Sequence, residues 1–388
     1  MPLRYTTHNL NCKQALHRFS HDYFGEGEKY MSVKKILVTG IGGYWGNHVA
    51  EKLAENPEYQ VLGMDTIAPK QPVPGMDFIQ ADIRNPLLVK LLKSEKIDTV
   101  YHLAFKESAR PNEAAFDYNV MGTMKVFGAC AEAGVKSIIF KSSTAVYGAA
   151  PQNSAFLTEN HALNGSRSYG SIRYLIEIEA FCNGFRRQSP NVNLTILRFA
   201  NIVGPTVDSP LMRYLKQSVS PVLMGFNPMM QVIHEDDAVA ALAHAGSGHY
   251  PGIFNVAAED TLPLGKLLGL AEQRRIPLFH PFAYMGYGLF GSKGIRILQH
   301  LPIELDYIRY RWVGDLKKMR DILQFTPTYT ADETLRQFAE QRRSKSPAPE
   351  PETRAAYDTD HLRETIERRH MNENQADDET DRRVPTNE

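Results

Sequence analysis

The sequence has few cysteines and no net charge. Three cysteines in 388 residues, Cys12, Cys130 and Cys182, are too few and too scattered for a disulfide framework or a cysteine-based zinc site. Their scarcity is typical of a reducing cytoplasm, where we expect the protein to reside. The 44 basic residues balance the 44 acidic residues, so no overall field attracts nucleic acid, and we expect no nucleic-acid partner.

Long apolar runs are also missing. No stretch approaches the roughly 20 consecutive apolar residues that a transmembrane helix needs, so we expect no integral membrane span. The first 20 residues lack the apolar core of a secretory signal. What the sequence does have is 43% hydrophobic residues, an ordinary fraction for a globular protein with one large or two medium domains.

Composition divides the chain into a folded unit and two polar ends. Residues 1–31 are polar and without a clear period, and we interpret them as a flexible extension, with an amphipathic docking arm as the alternative. Residues 341–388 combine mixed charge, Pro-Glu repetition and a single aromatic residue, Tyr357. Such a segment buries too little apolar area to offset its ordering entropy, so we predict a charged disordered tail.

Strand-like and helix-like segments alternate between residues 32 and 204. The strand-like segments are short and apolar on both faces, as in a parallel sheet covered by helices. This alternation predicts an α/β fold with a Rossmann-type, doubly wound parallel sheet. After Gly204 the pattern becomes irregular. We predict a smaller α/β substrate lobe over 205–340, whose closing helices pack back on the first domain. The apolar strand-like segments are 34–40, 59–65, 76–82, 97–104, 136–143 and 193–199.

The first strand leads into a glycine-rich turn typical of dinucleotide binding. Gly40, Gly43 and Gly46 have the spacing G-x-x-G-x-x-G, which permits a tight turn and close approach of the backbone to a pyrophosphate at a helix N-terminus. Asp65 ends the second strand, about 20 residues later, where an acid binds the ribose 2′-hydroxyl. A carboxylate there disfavours a 2′-phosphate, so we predict NAD rather than NADP, although Lys70 weakens that preference. The alternative is a glycine-rich turn without a ligand.

Motifs in consistent order and spacing extend this pattern along the chain. Together they resemble the extended short-chain dehydrogenases/reductases, the NAD-dependent epimerase/dehydratase group that includes UDP-galactose 4-epimerase. The motifs are TGIGGYWG (39–46), DIR (82–84), YHLA (101–104), NVMGT (119–123), SSTAVYG (142–148), YGSIR (169–173), LRFANIVG (197–204) and VIHEDD (232–237).

The resemblance implies a cofactor site for NAD. Asp82 and Ile83 would lie at the adenine, and Asn119 on the helix behind the cofactor. Asp82 as a simple turn residue and Asn119 as a helix-packing polar group are the alternatives. The implied cofactor contacts are Gly40, Gly43, Tyr44, Trp45, Gly46, Asp65, Asp82, Ile83, Leu103, Ala104, Asn119, Ser142, Tyr169 and Arg173.

The resemblance also implies a reaction centre in which Ser143 holds the substrate oxygen and Tyr169 is the acid/base. Tyr147 is interpreted as a structural residue. A free phenol has a pKa near 10, so Tyr169 needs a cation that stabilises its phenolate. The family has lysine one helical turn later, but this sequence has Arg173, whose planar, permanently protonated group cannot reproduce a lysine's compact bond or proton relay.

Three interpretations of the Tyr-x-x-x-Arg sequence remain open. The protein works with an adapted Tyr169–Arg173 pair, or it binds NAD with slow or no catalysis, or it uses another base. The substrate motif also departs from the family. Asn201 matches the asparagine that touches substrate phosphates in nucleotide-sugar epimerases, but Met230 stands in place of their phosphate-binding arginine.

We therefore predict an NAD-dependent epimerase/dehydrogenase that oxidises a secondary alcohol, first of all that of a nucleotide sugar. Ser143-Thr144-Ala145 replaces the Thr-Asp-Glu of family dehydratases, which disfavours dehydration. The alternatives are a dehydrogenase of an apolar, steroid- or lipid-like alcohol and an NAD-binding sensor without turnover. The apolar segment 276–298 favours a less polar substrate or a peripheral membrane contact, with a lid or dimer surface as the simpler interpretation. By analogy with the family we expect a homodimer and no metal.

Overall fold

A computed structural model describes residues 33–279, 281 and 302–345. The predictions for residues 1–31, for most of the tail and for residues 282–298 lie outside the described residues. In the described ranges, no helix has the length and apolar character needed to cross a bilayer.

The strands and helices follow one another in the alternation that the sequence predicts. The strands are β1 (Lys34–Thr39), β2 (Tyr59–Asp65), β3 (Asp77–Gln80), β4 (Thr99–His102), β5 (Ser137–Ser143), β6 (Asn193–Phe199), β7 (Asn201–Val203), β8 (Ser220–Leu223), β9 (Met229–Met230), β10 (Val232–His234), β11 (Gly252–Val256), β12 (Leu262–Pro263) and β13 (Arg275–Leu278). The helices are α1 (Tyr44–Ala54), α2 (Leu88–Ser94), α3 (Glu113–Phe116), α4 (Gly122–Ala133), α5 (Gly170–Gln188), α6 (Pro210–Leu215), α7 (Glu235–Ala245), α8 (Leu264–Leu270) and α9 (Ala331–Lys345).

A seven-stranded parallel sheet forms the centre of the molecule, in the order β3-β2-β1-β4-β5-β6-β11. All seven residues of β6 are buried, because helices cover both faces of the sheet. The predicted Rossmann-type fold is confirmed. The direction of winding reverses between β1 and β4, and ligands of such folds bind outside the carboxyl ends of the strands at that point.

The predicted division at residue 204 does not coincide with the end of this sheet. β11 lies within the predicted substrate lobe, yet it pairs in parallel with β6 and completes the sheet. The sequence does not reveal this strand's place in the sheet, because a five-residue strand-like segment does not indicate which other strand it pairs with. The small pairs β7–β10, β8–β13 and β9–β12 account for the irregularity. At the other end, α9 continues to Lys345, beyond the predicted boundary at 340.

A buried ion pair connects the elements around the reaction centre. Arg198 on β6 and Glu179 on α5 have side chains that are only 3% and 1% exposed. The Arg198 Nε donates to both Glu179 oxygens, at 3.1 and 3.0 Å, and its Nη2 donates to Oε2 at 2.5 Å. The remaining guanidinium nitrogen, Nη1, donates to the hydroxyl of Tyr147 at 2.7 Å. That hydroxyl in turn donates to the side-chain oxygen of Asn255 on β11. Each charged group is thus satisfied by several partners, as burial requires.

Loss of one partner should therefore be costly. We predict that Arg198→Met lowers the free energy of unfolding by about 3–5 kcal/mol, because Glu179 stays buried without its cation. The measurement is urea unfolding followed by circular dichroism. The matched control is Arg167→Met, which removes the exposed ion pair of Arg167 with Glu177, also on α5, and should leave the midpoint nearly unchanged. Equal losses in the two variants would contradict the assignment.

Candidate active site

The loop after β1 has glycines where its backbone lies too close to other backbone atoms to leave room for a Cβ. Gly40 has a φ of +80°, and a Cβ at this position would lie 2.6 Å from the Cα of Ala104, just beyond β4. A Cβ at Gly46 would lie 2.1 Å from the carbonyl oxygen of Gly40. The loop therefore lies against the residues that follow β4, and α1 begins within the loop sequence at Tyr44. This is the cradle that a pyrophosphate at a helix N-terminus needs.

Asp65 lies beside this loop, as its spacing predicts. One carboxylate oxygen accepts a hydrogen bond from the backbone nitrogen of Gly42 at 3.0 Å, and the other accepts from Thr66 at 2.6 Å. The glycine loop and the carboxyl end of β2 thus meet at one edge of the sheet. The glycines and Asp65 fit the pyrophosphate and ribose of a dinucleotide.

A cavity opens at the carboxyl ends of β5 and β6 next to the loop. It brings together Trp45, Ser143, Tyr169 and Asn201, which are far apart in sequence. Ser143 ends β5, and its hydroxyl accepts a hydrogen bond from the nitrogen of Ala145 at 3.1 Å. Ser142 also borders the cavity, but its hydroxyl donates to the buried Glu179 at 2.6 Å.

Tyr169 precedes the first turn of α5 and is half-buried in the cavity wall. Burial raises the pKa of its phenol, as do the charges of Glu107 and Glu304, whereas Arg213 opposes that shift. Arg213 is itself paired with Glu107 at 2.8 Å and with Asp208 at 2.9 Å. The phenol is therefore protonated near neutral pH and needs a further cation to ionise there.

Arg173 lies one turn into α5, and its backbone nitrogen donates to the carbonyl oxygen of Tyr169 at 3.0 Å. Within the described ranges its side chain is not among the groups that line the cavity, nor is its charge among those that shift the phenol's pKa. The catalytic pairing of Tyr169 with Arg173 stays a prediction.

The residues expected near the adenine have strong contacts of their own. Asp82 pairs with Arg84 at 2.7 Å, and this hydrogen bonding keeps the carboxyl pKa below its ordinary value. Ile83 is buried against Gly122. Asn119, fully buried in a π-helical turn at 117–121, accepts from the nitrogen of Lys106 and donates to its carbonyl oxygen, both at 2.8 Å. Asn119 therefore holds the loop that follows Leu103 and Ala104.

The start of helix α1 contacts the loop that follows β7. The hydroxyl of Tyr44 lies 3.0 Å from Thr206 Oγ1, in the loop after β7. Asn201 donates to the carbonyl oxygen of Gln231 at 3.0 Å, and Met230 beside it is 2% exposed. His234 caps α7 by accepting a hydrogen bond from the nitrogen of Asp236, which is a structural role.

Four charged residues of the cavity wall were missed by the sequence analysis: Glu107, Lys141, Asp208 and Glu304. Lys141 left a signal, because a charged residue directly follows the three apolar residues 138–140 within β5, SIIFKSS. Burial lowers the pKa of Lys141 to about 8, although Glu107 raises it. The three carboxylates left no such signal, since they lie in loops, where acidic residues are ordinary.

Comparison with known sequences identifies relatives of this chain. A family model described as the NAD dependent epimerase/dehydratase family matches residues 36–257, more than half of the chain. An uncharacterized protein of Mycobacterium tuberculosis is 33% identical over 316 residues, covering 78% of this chain and 82% of that protein. UDP-glucose 4-epimerase of Lactobacillus helveticus is 33% identical over 186 residues, which cover 46% of this chain and 54% of that enzyme.

Solved structures share the fold at lower identity. UDP-glucuronic acid 4-epimerase from Bacillus cereus, in complex with UDP-glucuronic acid and NAD, has a TM-score of 0.62 at 21% identity, covering 80% of this chain and 99% of that one. UDP-N-acetylglucosamine 4-epimerase from Methanobrevibacter ruminantium has a TM-score of 0.63 at 20% identity, with the same coverage. The predicted resemblance is confirmed.

The glycine loop supplies a direct test of the cradle. We predict that Gly46→Ala destabilises the protein by about 1–3 kcal/mol and weakens NAD binding, because the Gly40 carbonyl that the new methyl group meets is backbone and cannot move aside. Urea unfolding and calorimetric titration with NAD measure the two effects. Gly128→Ala is the control: nothing lies within 4 Å of its added methyl group, and alanine in α4 should stabilise by about 1 kcal/mol. A Gly46→Ala variant as stable as the Gly128→Ala variant would contradict the close approach.

Proposed function

Because the chain belongs to the NAD dependent epimerase/dehydratase family, we propose that it oxidises a secondary alcohol of a nucleotide sugar, with Tyr169 as acid/base. One observation carries this proposal: Ser143 and Tyr169 line a single cavity beside the glycine loop. The family description makes NAD the cofactor. When bound, NAD accepts the hydride that the alcohol carbon releases.

Two side chains of this protein then act on the proton and the oxygen atom of the substrate hydroxyl. The ionised oxygen of Tyr169 takes the proton of the substrate hydroxyl, while Ser143 Oγ holds the same substrate oxygen by a hydrogen bond. The O–H and C–H bonds break, a C=O bond forms, and the pair of electrons leaves with the hydride. In an epimerase the steps then run backwards on the other face of the carbonyl. In a dehydrogenase the ketone leaves.

A nucleotide sugar is the first candidate substrate. It is supported by the relatives named UDP-sugar epimerases and by Asn201 at the cavity wall. The homodimer and the cytoplasmic location also remain predictions.

A second candidate, an apolar alcohol, is favoured by the composition of the cavity. In the described ranges, the three carboxylates at 107, 208 and 304 outnumber the two cations around the cavity, Lys141 and Arg213, and the buried Met230 offers a diphosphate no donor. The apolar part of the wall includes Phe105, Ile172, Leu175, Phe199, Ile202, Val207, Ile303 and Trp312.

The acid/base role is tested by removing one hydroxyl. We predict that Tyr169→Phe lowers kcat by about 10²–10⁴-fold and leaves NAD affinity within a few-fold, because only proton transfer is lost. Turnover is followed by NADH absorbance and by interconversion of UDP-glucose and UDP-galactose. Activity of the parent protein should rise with pH as the phenolate fraction grows, since burial and neighbouring carboxylates raise the phenol's pKa.

Tyr147→Phe is the matched control. It removes a hydroxyl that is bonded to Arg198 and Asn255 in the core, so stability should fall while kcat stays nearly the same. Full activity of Tyr169→Phe would refute the assignment. Oxidation of a steroid-like alcohol without UDP-sugar conversion would select the second substrate class.

A further inference from the structure

The motif VIHEDD contains a buried acid that the proposed reaction does not use. Glu235, the first residue of α7, is 3% exposed. Across the described ranges its carboxylate forms no ion pair, and the loop between β7 and α6 supplies its donors. Both carboxylate oxygens lie 3.1 Å from the nitrogen of Thr206, and Oε2 accepts from the nitrogen of Val207 at 2.6 Å. A buried carboxylate without donors is costly, so these backbone groups hold it in place.

The loop is shaped to receive this carboxylate. A Cβ at Gly204 would lie 2.3 Å from both Cγ and Cδ of Glu235, so glycine is what leaves room for the acid. The residues that follow Thr206 in this loop, 207–210, all line the cavity. Glu235 therefore fixes one wall of the cavity through the backbone of the loop that forms it.

The side chain of Thr206 extends these contacts to the glycine loop. Its Oγ1 donates to Glu235 Oε1 at 2.9 Å, and the hydroxyl of Tyr44 lies 3.0 Å from the same Oγ1. A hydroxyl group has only one proton to donate. Because Thr206 donates its proton to the carboxylate, Tyr44 is the donor in the second bond. Burial raises the pKa of the Tyr44 phenol, and the charge of Glu235 adds to this shift although the bond to Thr206 opposes it, so the phenol keeps its proton.

This hydrogen-bonded chain begins where the dinucleotide binds. Tyr44 is the first residue of α1, within the glycine loop whose backbone N–H groups suit a pyrophosphate. Its neighbour Trp45 lines the cavity together with Val207. A side chain tethered in this way orders the first turn of α1 before a ligand arrives, so less conformational entropy is lost on binding.

We propose that Glu235 is a positioning residue that, through Thr206 and Tyr44, joins the glycine loop and the cavity wall into one preorganised unit. The inference rests on the proposed function, because it takes NAD to be the ligand of the glycine loop. Loss of any member of the chain should weaken NAD binding, since the first turn of α1 is then ordered only when the cofactor binds. Loss of Glu235 should also displace the wall at 207–210.

Calorimetric titration with NAD tests this chain without requiring turnover. We expect Tyr44→Phe, Thr206→Val and Glu235→Met each to weaken NAD binding by about two- to tenfold, the range for loss of one hydrogen bond. Thr206→Ser keeps the hydroxyl and should keep the affinity. In the double variant Tyr44→Phe/Glu235→Met the two losses should not add, because both substitutions break the same chain.

Two control variants separate this role from a general loss of stability. Asp237, also in the first turn of α7 and 2% exposed, accepts from the backbone nitrogens of residues 328 and 329 at 2.8 and 2.9 Å. Asp237→Leu should therefore lower the urea midpoint as Glu235→Met does, yet leave NAD affinity unchanged. Tyr214→Phe removes a buried hydroxyl that donates to the carbonyl oxygen of Pro221 at 2.7 Å, and it should behave in the same way.

A spectroscopic readout follows the glycine loop itself. The chain has two tryptophans, so labelling with 5-fluorotryptophan gives two fluorine NMR signals, and Trp312→Phe identifies the signal of Trp45. We expect Thr206→Val and Glu235→Met to shift or broaden the Trp45 signal, because its neighbour Tyr44 is no longer tethered. Asp237→Leu should leave that signal unchanged.

Several results would overturn the proposal. One is an unchanged NAD affinity in Tyr44→Phe and Thr206→Val, and another is additive losses in the double variant. A third is an equal loss of NAD affinity in Asp237→Leu, which would make the effect one of stability alone. An unchanged Trp45 signal in Glu235→Met is a fourth. If Glu235→Met does not fold, Thr206→Val takes its place in the double variant and in the fluorine spectrum.

Steady-state kinetics at saturating NAD adds the substrate side. Glu235→Met should raise KM for UDP-glucose or a steroid-like alcohol, whichever the parent protein converts, and change kcat little. The reason is that Ser143 and Tyr169 lie at elements held by Glu179 and not by Glu235. A fall in kcat with an unchanged KM would contradict the role in the wall. A parent protein that binds NAD and converts no alcohol would refute the proposed function, while the NAD titrations would still decide the role of Glu235.

Discussion

The buried ion pair between Arg198 and Glu179 is the constraint on which the reaction centre depends. It joins β6 to α5, and the hydroxyl of Ser142 joins β5 to the same carboxylate. Tyr169 immediately precedes α5, Ser143 follows Ser142, and Asn201 follows β6. One fully satisfied cluster in the core therefore sets the relative positions of three side chains that line the cavity. Loss of either charge from this cluster is costly, because the charge that remains has lost its water.

A different constraint shapes the cofactor side of the site. There the backbone of the loop after β1 approaches that of the residues beyond β4 so closely that a single Cβ does not fit. Asp65 is hydrogen-bonded to the same loop through Gly42. The two halves of the site are thus held by different means, one by buried side-chain charge and the other by backbone contact. Substitutions in one half should leave the other intact.

The two departures from the family pattern, at residues 173 and 230, concern side chains that are not among the groups lining the cavity in the described ranges. Arg173 stands where the family pattern has lysine, and Met230 stands where it has arginine. The glycine loop and Asp65, in contrast, match the family pattern. The cavity wall of this chain carries carboxylates at 107, 208 and 304 and a lysine at 141. With Arg213 counted, these groups leave a small excess of negative charge around the cavity.

The chain's resemblance to the family selected Ser143 and Tyr169 as candidates, and the sequence by itself determined the parallel sheet and the glycine loop. Local physics explains why: strands covered on both faces must be apolar throughout, and a backbone crossing that excludes a Cβ requires glycine. Only the tertiary structure decided that β11, from beyond residue 204, completes the sheet, and that Lys141, Glu107 and Glu304 share a cavity with Tyr169. The influence of Glu107 and Glu304 on the phenol depends on distance through space, which is not encoded in spacing along the chain.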